Sequence, residues 1–134
     1  MISWFEIPAF DFDKAVEFYS KVFDIQIEIK SFGSGPYAVM NDKRSGIAGA
    51  LIPVKEKLSP NMGPILFFKV LDMSETIRRI KLLHGEILKE KSLIRNETAE
   101  GKIIIPKTLI DNSSGYFAVF RDPDGNKMAL YSNS

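Results

Sequence analysis

Few residues in this chain have a type and spacing suited to chemistry. There is no cysteine, which excludes disulfides, thiolate nucleophiles and thiolate metal ligands. The one histidine, His84, falls at the end of a helical pattern, where a protonated imidazole would sit well against the helix dipole. No nucleophile has a histidine beside it, and the lone serines and threonines fall in turns and loops. Gly33-Ser34-Gly35 precedes a strand pattern rather than a helix, so it is not a phosphate-cradling loop. The carboxylates remain. Asp11 and Asp72 each follow an apolar extended run and open a helical period, as N-caps do. Asp122-Pro123-Asp124-Gly125-Asn126 reads as a turn, with Pro123 presetting one angle and Gly125 accepting a positive φ. Glu6 lies inside the apolar run Trp4-Phe5-Glu6-Ile7-Pro8.

The elements that position these residues occur twice. The run from Trp4 to Asp11 is echoed by Ile65 to Asp72, and the two aspartates lie 61 positions apart. After Asp11, Ala15, Phe18, Tyr19, Val22 and Phe23 recur at helical spacing. After Asp72 the stripe is Met73, Ile77, Ile80, Leu83 and His84, with Tyr19 matching Ile80 and Val22 matching Leu83. Glu75 suits a capping box with Asp72, and Gly85 offers a left-handed helix end. Later, Ala38-Val39-Met40-Asn41-Asp42 parallels Ala118-Val119-Phe120-Arg121-Asp122 at an offset of 80. The second half therefore carries about 19 extra residues between Gly85 and Phe117, including the polar stretch Arg95 to Gly101. Each of the two later runs leads through a turn, the first near Asp42 to Gly46.

This pattern predicts strands over 2–8, 25–31, 36–41 and 47–54 and a helix over 12–23 in a first unit. After a linker over 55–63 come strands 64–71, 86–93, 102–107, 115–121 and 126–132 and a helix over 73–84. Strands 86–93 and 102–107 either form a hairpin or one replaces the other in the repeat. The fold class is α+β: two βαβββ units with mixed sheets, helices outside and a pseudo-twofold relation, in one domain over 1–134.

Composition bounds the partners. With 134 residues, 45% of them hydrophobic, the chain is long enough for a core that needs no staples. The formal net charge is +1, which argues against a nucleic-acid binder and a polybasic membrane contact. Runs such as Ile65 to Phe68 are far shorter than the roughly 20 residues that span a bilayer. No signal peptide is seen. The expectation is a cytoplasmic protein of bacterial type.

A strand–helix–three-strand unit present twice resembles the vicinal oxygen chelate superfamily, which includes glyoxalase I, extradiol dioxygenases, fosfomycin-resistance enzymes and bleomycin-resistance proteins. The resemblance covers essentially the whole chain. It is sharpest at Asp11 with Ala15-Val16-Glu17-Phe18-Tyr19 and at the closing Asp122 to Asn126 with Leu130. Trp4 to Pro8 and Gly101 to Thr108 look like a bacterial subgroup known only as glyoxalase/bleomycin-resistance-like. The resemblance implies that each unit curls a sheet into a partly open barrel, that the concave face makes the site, and that the protein is a homodimer.

It also implies where a metal would sit. Superfamily enzymes hold a divalent ion with His, Glu or Gln side chains and use it as a Lewis acid. The matching positions here are Trp4, Ala50, Ile65 and Ala129. No metal and no cofactor are therefore expected. Strand alternation places Glu6 beside Trp4, Phe67 and Lys69 after Ile65, and Lys127 and Tyr131 on the side of Ala129. The two alanines leave space, and Trp4 and Phe67 offer flat apolar walls, as a pocket for a planar or hydrophobic small molecule does. Glu6 on such a wall is a candidate general base, because desolvation disfavours a carboxylate's charge. Its alternative is a structural pairing with Lys69, Lys127, Arg121 or a backbone N–H. Three functions stay open: a metal-free small-molecule binder, a metal-independent lyase or isomerase acting on a carbonyl compound through Glu6, and a regulatory or interaction module with a filled cavity.

Overall fold

A computed structural model describes residues 2, 4–32, 35–42, 47–57 and 63–134. The first unit comprises β1 (Trp4–Ala9), α1 (Phe12–Val22), β2 (Glu28–Phe32), β3 (Gly35–Asp42) and β4 (Ile47–Pro53). The second comprises β5 (Phe67–Lys69), α2 (Met73–Leu82), β6 (Glu86–Leu93), β7 (Asn96–Glu97), β8 (Ile103–Ile104), β9 (Tyr116–Arg121) and β10 (Lys127–Ser132). Most of the predicted turn over 42–46, part of the linker over 55–63 and Gly33-Ser34 lie outside the described residues.

The two main sheets have the same topology. Their strand orders are β1-β4-β3-β2 and β5-β10-β9-β6. In each, the strand before the helix pairs in parallel with the last strand, and the remaining pairs are antiparallel. This settles the open question in the second unit: β6 takes the place of β2, and the predicted strand 102–107 is not part of the main sheet. Only Ile103–Ile104 remains extended, paired with Asn96–Glu97 in a sheet of its own. Pro106 has no N–H to donate to a longer ladder. Strand 64–71 likewise contracts to Phe67–Lys69, leaving Ile65 before the strand.

The repeat also shows in the caps. The Asp11 carboxylate accepts from the Lys14 N–H and that of Asp72 from the Glu75 N–H, so both aspartates cap as their positions predict. The Glu75 side chain does not reach back to complete a box; it accepts from Arg78 and Arg79 instead. The helix ends differ from expectation by one residue. The left-handed residue after α2 is His84, at φ 69°, and the corresponding residue after α1 is Asp24, at φ 51°. Gly85 is required for a different reason. A Cβ there would lie 2.6 Å from Ile80 Cγ2 and 3.1 Å from the Arg121 carbonyl.

The core joins the halves. Helix α1 buries Ala15, Phe18, Tyr19 and Val22, and α2 buries Met73, Thr76, Ile77 and Ile80. All of these but Thr76 pack with Ile7, Ala9, Ala38, Met40 and Leu51 of the first sheet and Ala118, Phe120, Met128 and Leu130 of the second in one cluster. Rings of α1 and its C-cap reach the second sheet directly: Phe18 lies 6.2 Å from Phe120, and the capping Phe23 lies 4.6 Å from Phe68, between centroids. Each sheet therefore spends one face on this shared core. Its other face, away from the core, mixes exposed residues such as Trp4 and Phe67 with buried ones such as Ala50, Ala129 and Tyr131.

The closing turn is a second seam. The Asp122 carboxylate is buried and accepts from the Tyr19 hydroxyl at 2.9 Å, the Asn126 amide at 2.9 Å, and the backbone N–H groups of Asp124 and Asn126. The same Asn126 amide donates to the Pro8 carbonyl at 2.8 Å, and the Asp11 N–H donates to Asp124 at 3.0 Å. Burial pushes the Asp122 carboxyl above its usual range, against the pull of Asn126 and Tyr19. Burial first, then the Asp122 charge, raises the Tyr19 phenol well above the ordinary value, so it remains a donor.

Candidate functional site

The faces away from the core follow from register, since side chains of cross-strand partners share a face. On the first sheet Trp4 stands opposite Ala48 and Glu6 opposite Ala50, and Ala50 opposite Val39. Their neighbours Phe5 and Ile7 point the other way, to the core. On the second sheet one row runs Phe67, Ala129, Val119 and Lys89, and the next runs Lys69, Tyr131 and Phe117. Lys127 stands opposite Arg121. Of the nine predicted site residues, Trp4, Glu6 and Ala50 thus share one face, and Phe67, Lys69, Lys127, Ala129 and Tyr131 share the other. Ile65 belongs to neither strand row. The two faces lie on separate sheets, and among the described residues no strand of one pairs with a strand of the other.

Exposure divides these residues. Trp4 is 43% and Phe67 52% exposed, so both present flat apolar surface. Ala50 and Ala129 are fully buried, forming floor rather than open space. Glu6 is exposed, so the desolvation assumed for it from sequence is not there. Its oxygen accepts from the Trp4 indole N–H at 3.3 Å, rather than from any of the lysines or Arg121.

A carboxylate that sequence reasoning missed stands on the second face. Asp111 accepts from the Tyr131 hydroxyl at 2.8 Å, the Asn133 amide at 2.9 Å, the Thr108 hydroxyl at 3.2 Å and the Ser113 N–H at 3.1 Å. The Lys69 ammonium lies 3.6 Å away. The donors, Asn133 and then Tyr131 foremost, hold the Asp111 carboxyl at about 2. Together they clamp the loop before β9 over the end of β10. Gly115 permits it: a Cβ there would lie 2.5 Å from the Tyr131 ring. No periodicity announces Asp111, because its partners are brought to it by tertiary packing. A cavity of about 10 Å³, lined by Pro8, Phe10, Val54, Glu56, Lys57, Asp124 and Asn126, lies at the seam between the units rather than on either of these faces.

The family model for the glyoxalase/bleomycin resistance protein/dioxygenase superfamily matches residues 1–130, and the chain belongs to that superfamily. Solved structures agree on the fold. A superfamily enzyme from Burkholderia phytofirmans has a TM-score of 0.66 at 16% identity, covering 98% of this chain and 98% of that one. The fosfomycin resistance protein FosX from Listeria monocytogenes has a TM-score of 0.65 at 15% identity, covering 100% of this chain and 90% of that one. TnmS3, an antibiotic binding protein from a Streptomyces species, has a TM-score of 0.61 at 21% identity, covering 100% of this chain and 96% of that one. A search of the curated proteins found no match.

The positions that the resemblance marks for the superfamily's metal are Trp4, Ala50, Ile65 and Ala129, and donor chemistry tests whether they fit one. Indole, isoleucine and alanine side chains carry no lone pair suited to a divalent ion. The indole N–H of Trp4 is itself a donor, spent on Glu6. The residues at these four positions do not fit a metal. Among the described residues no helix is long and apolar enough to cross a membrane.

Proposed function

We propose that this chain is a small-molecule-binding member of the superfamily that works without the family's metal, as a cytoplasmic homodimer. One consideration carries the reading: the positions that the resemblance marks for metal ligands are Trp4, Ala50, Ile65 and Ala129, of which Trp4 and Ile65 are exposed and the two alanines buried. Binding on a sheet face needs flat apolar area and few polar groups, which Trp4 and Phe67 supply. The printed role of TnmS3, antibiotic binding, is in keeping with it. The dimer is supported by apolar surface that one chain leaves uncovered apart from Trp4 and Phe67: Ile103, Ile104, Ile105, Leu109 and Ile110 are all exposed.

A thermal-shift screen of planar compounds tests binding, because a ligand of the folded state raises the melting temperature by mass action. Trp4 is the only tryptophan, so its emission should be quenched or shifted by a ligand at its face. Elemental analysis of purified protein should find no stoichiometric divalent metal; zinc, nickel, manganese or iron at one per chain would overturn the metal-free reading. Glu6→Gln separates binding from catalysis. It should leave ligand affinity and any turnover unchanged, whereas loss of a measurable turnover would make Glu6 a base. Sedimentation should give twice the 15.1 kDa of one chain.

A further inference from the structure

The duplication supplies its own comparison. Ala50 and Ala129 correspond, so Tyr131 of β10 corresponds to Ile52 of β4, each on the face of its sheet away from the core. Ile52 stays half-buried, whereas Tyr131 is 1% exposed. The difference lies in the extra residues that the second unit carries before β9. Residues 108–114 close on themselves: the Thr108 N–H donates to the Ser113 carbonyl, and the Asn112 N–H to the Thr108 carbonyl. This loop lies on Tyr131. The Thr108 hydroxyl is 3.0 Å from the phenol oxygen, the phenol donates to Asp111, and Gly115 leaves no room for a Cβ beside the ring. The loop reaches across the sheet, from the start of β9 past Asn133, just beyond β10, to Lys69 of β5.

Within one chain the hold on this loop is polar and gathered on one carboxylate. Among the described residues 101–114 only Thr108 is buried; Leu109 is fully exposed, and Ile105 and Ile110 are each more than half exposed. A segment with few buried apolar contacts opens locally at far lower cost than the whole domain unfolds. We infer that residues 108–114 are a strap that shuts the second face over Tyr131, with Asp111 as its latch, and that opening the strap admits a flat apolar molecule to the tyrosine ring. The two faces then differ in access: the first, with Trp4, takes a ligand directly, and the second is gated. The inference rests on the reading of the sheet faces as ligand surface.

The probe is 2-naphthol, uncharged at neutral pH. Three measurements are made on the full chain: amide hydrogen exchange, tyrosine nitration mapped by mass spectrometry, and amide chemical shifts with naphthol added. In the wild-type chain Tyr131 should resist nitration, and naphthol should move amides of residues 4–9 but not those of residues 117–131. Asp111→Ala should speed exchange at Thr108 and Asn112 at least about tenfold, leave exchange within β9 and β10 unchanged, open Tyr131 to nitration and let naphthol move the amides of residues 117–131. Gly115→Ala keeps every donor to Asp111 but sets a methyl group against the Tyr131 ring, and it should act in the same direction. Unchanged exchange and nitration in both variants overturn the strap. Exchange accelerated throughout β9 and β10 shows the loop to be part of the folded sheet, and also overturns it. Nitration of Tyr131 with no naphthol shift on residues 117–131 overturns the gate; shifts on residues 4–9 in the same samples leave the ligand-surface reading standing, and their absence overturns that reading too.

Discussion

Two aspartates in this chain respond to pH with opposite sign. Asp111 has a folded-state pKa of about 2, below its ordinary 3.8. The folded state therefore holds fewer protons than the unfolded chain between those values, and the stability Asp111 contributes is present above about 4 and lost as pH falls towards 2. Asp122 is raised, by burial, above the same ordinary value. Between the two values the folded state holds the extra proton, so stability declines as pH rises through that window. Urea titrations at a series of pH values should show Asp111→Asn flattening the acid limb and Asp122→Asn flattening the decline above about pH 4. Tyr19 links to the same site. Tyr19→Phe removes the hydroxyl that donates to Asp122 and should cost about 1–3 kcal/mol, read from the urea midpoint at constant slope.

At the scale of elements, the ends of the helices are where sequence and structure part. The N-caps were legible because an aspartate at the start of a helical stripe has one dominant use. The C-terminal ends were not: glycine marks a positive φ from sequence, yet His84 takes it and Gly85 serves close packing against Arg121. A non-glycine residue in the left-handed region costs roughly 1 kcal/mol. His84→Gly should therefore raise stability by about 0.5–1 kcal/mol, seen as a higher melting temperature, with no change in ligand affinity. Strand alternation was equally legible, since Trp4, Glu6 and Ala50 do share a face, as do Phe67, Lys69, Ala129 and Tyr131. Burial was not. Alternation gives the side of a strand but not what covers it, which is why Glu6 is exposed and Ala129 is covered. Asp111 was beyond reach because its partners come from β5, β10 and its own loop, and only the folded chain brings them together.

At the scale of the molecule, the repeat is two like units that share one core. The aromatic stripe of α1 packs on Phe68 and Phe120 of the other unit, and its N-terminal end is tied to Asp124. A fragment of residues 1–57 leaves that stripe in water. It should show no cooperative thermal transition by circular dichroism, and adding the complementary fragment 63–134 should restore one. A sharp transition in fragment 1–57 alone would show that the shared core is not what holds the first unit. The ordering of the chain in time follows from the same seam. Pro8 waits for Asn126, 118 positions later, and Tyr19 waits 103 positions for Asp122. A ribosome adding about 5–20 residues per second takes about 6–24 seconds to supply the first of these partners. Throughout that interval the half of the protein that is made first keeps in water the apolar stripe that the finished protein buries.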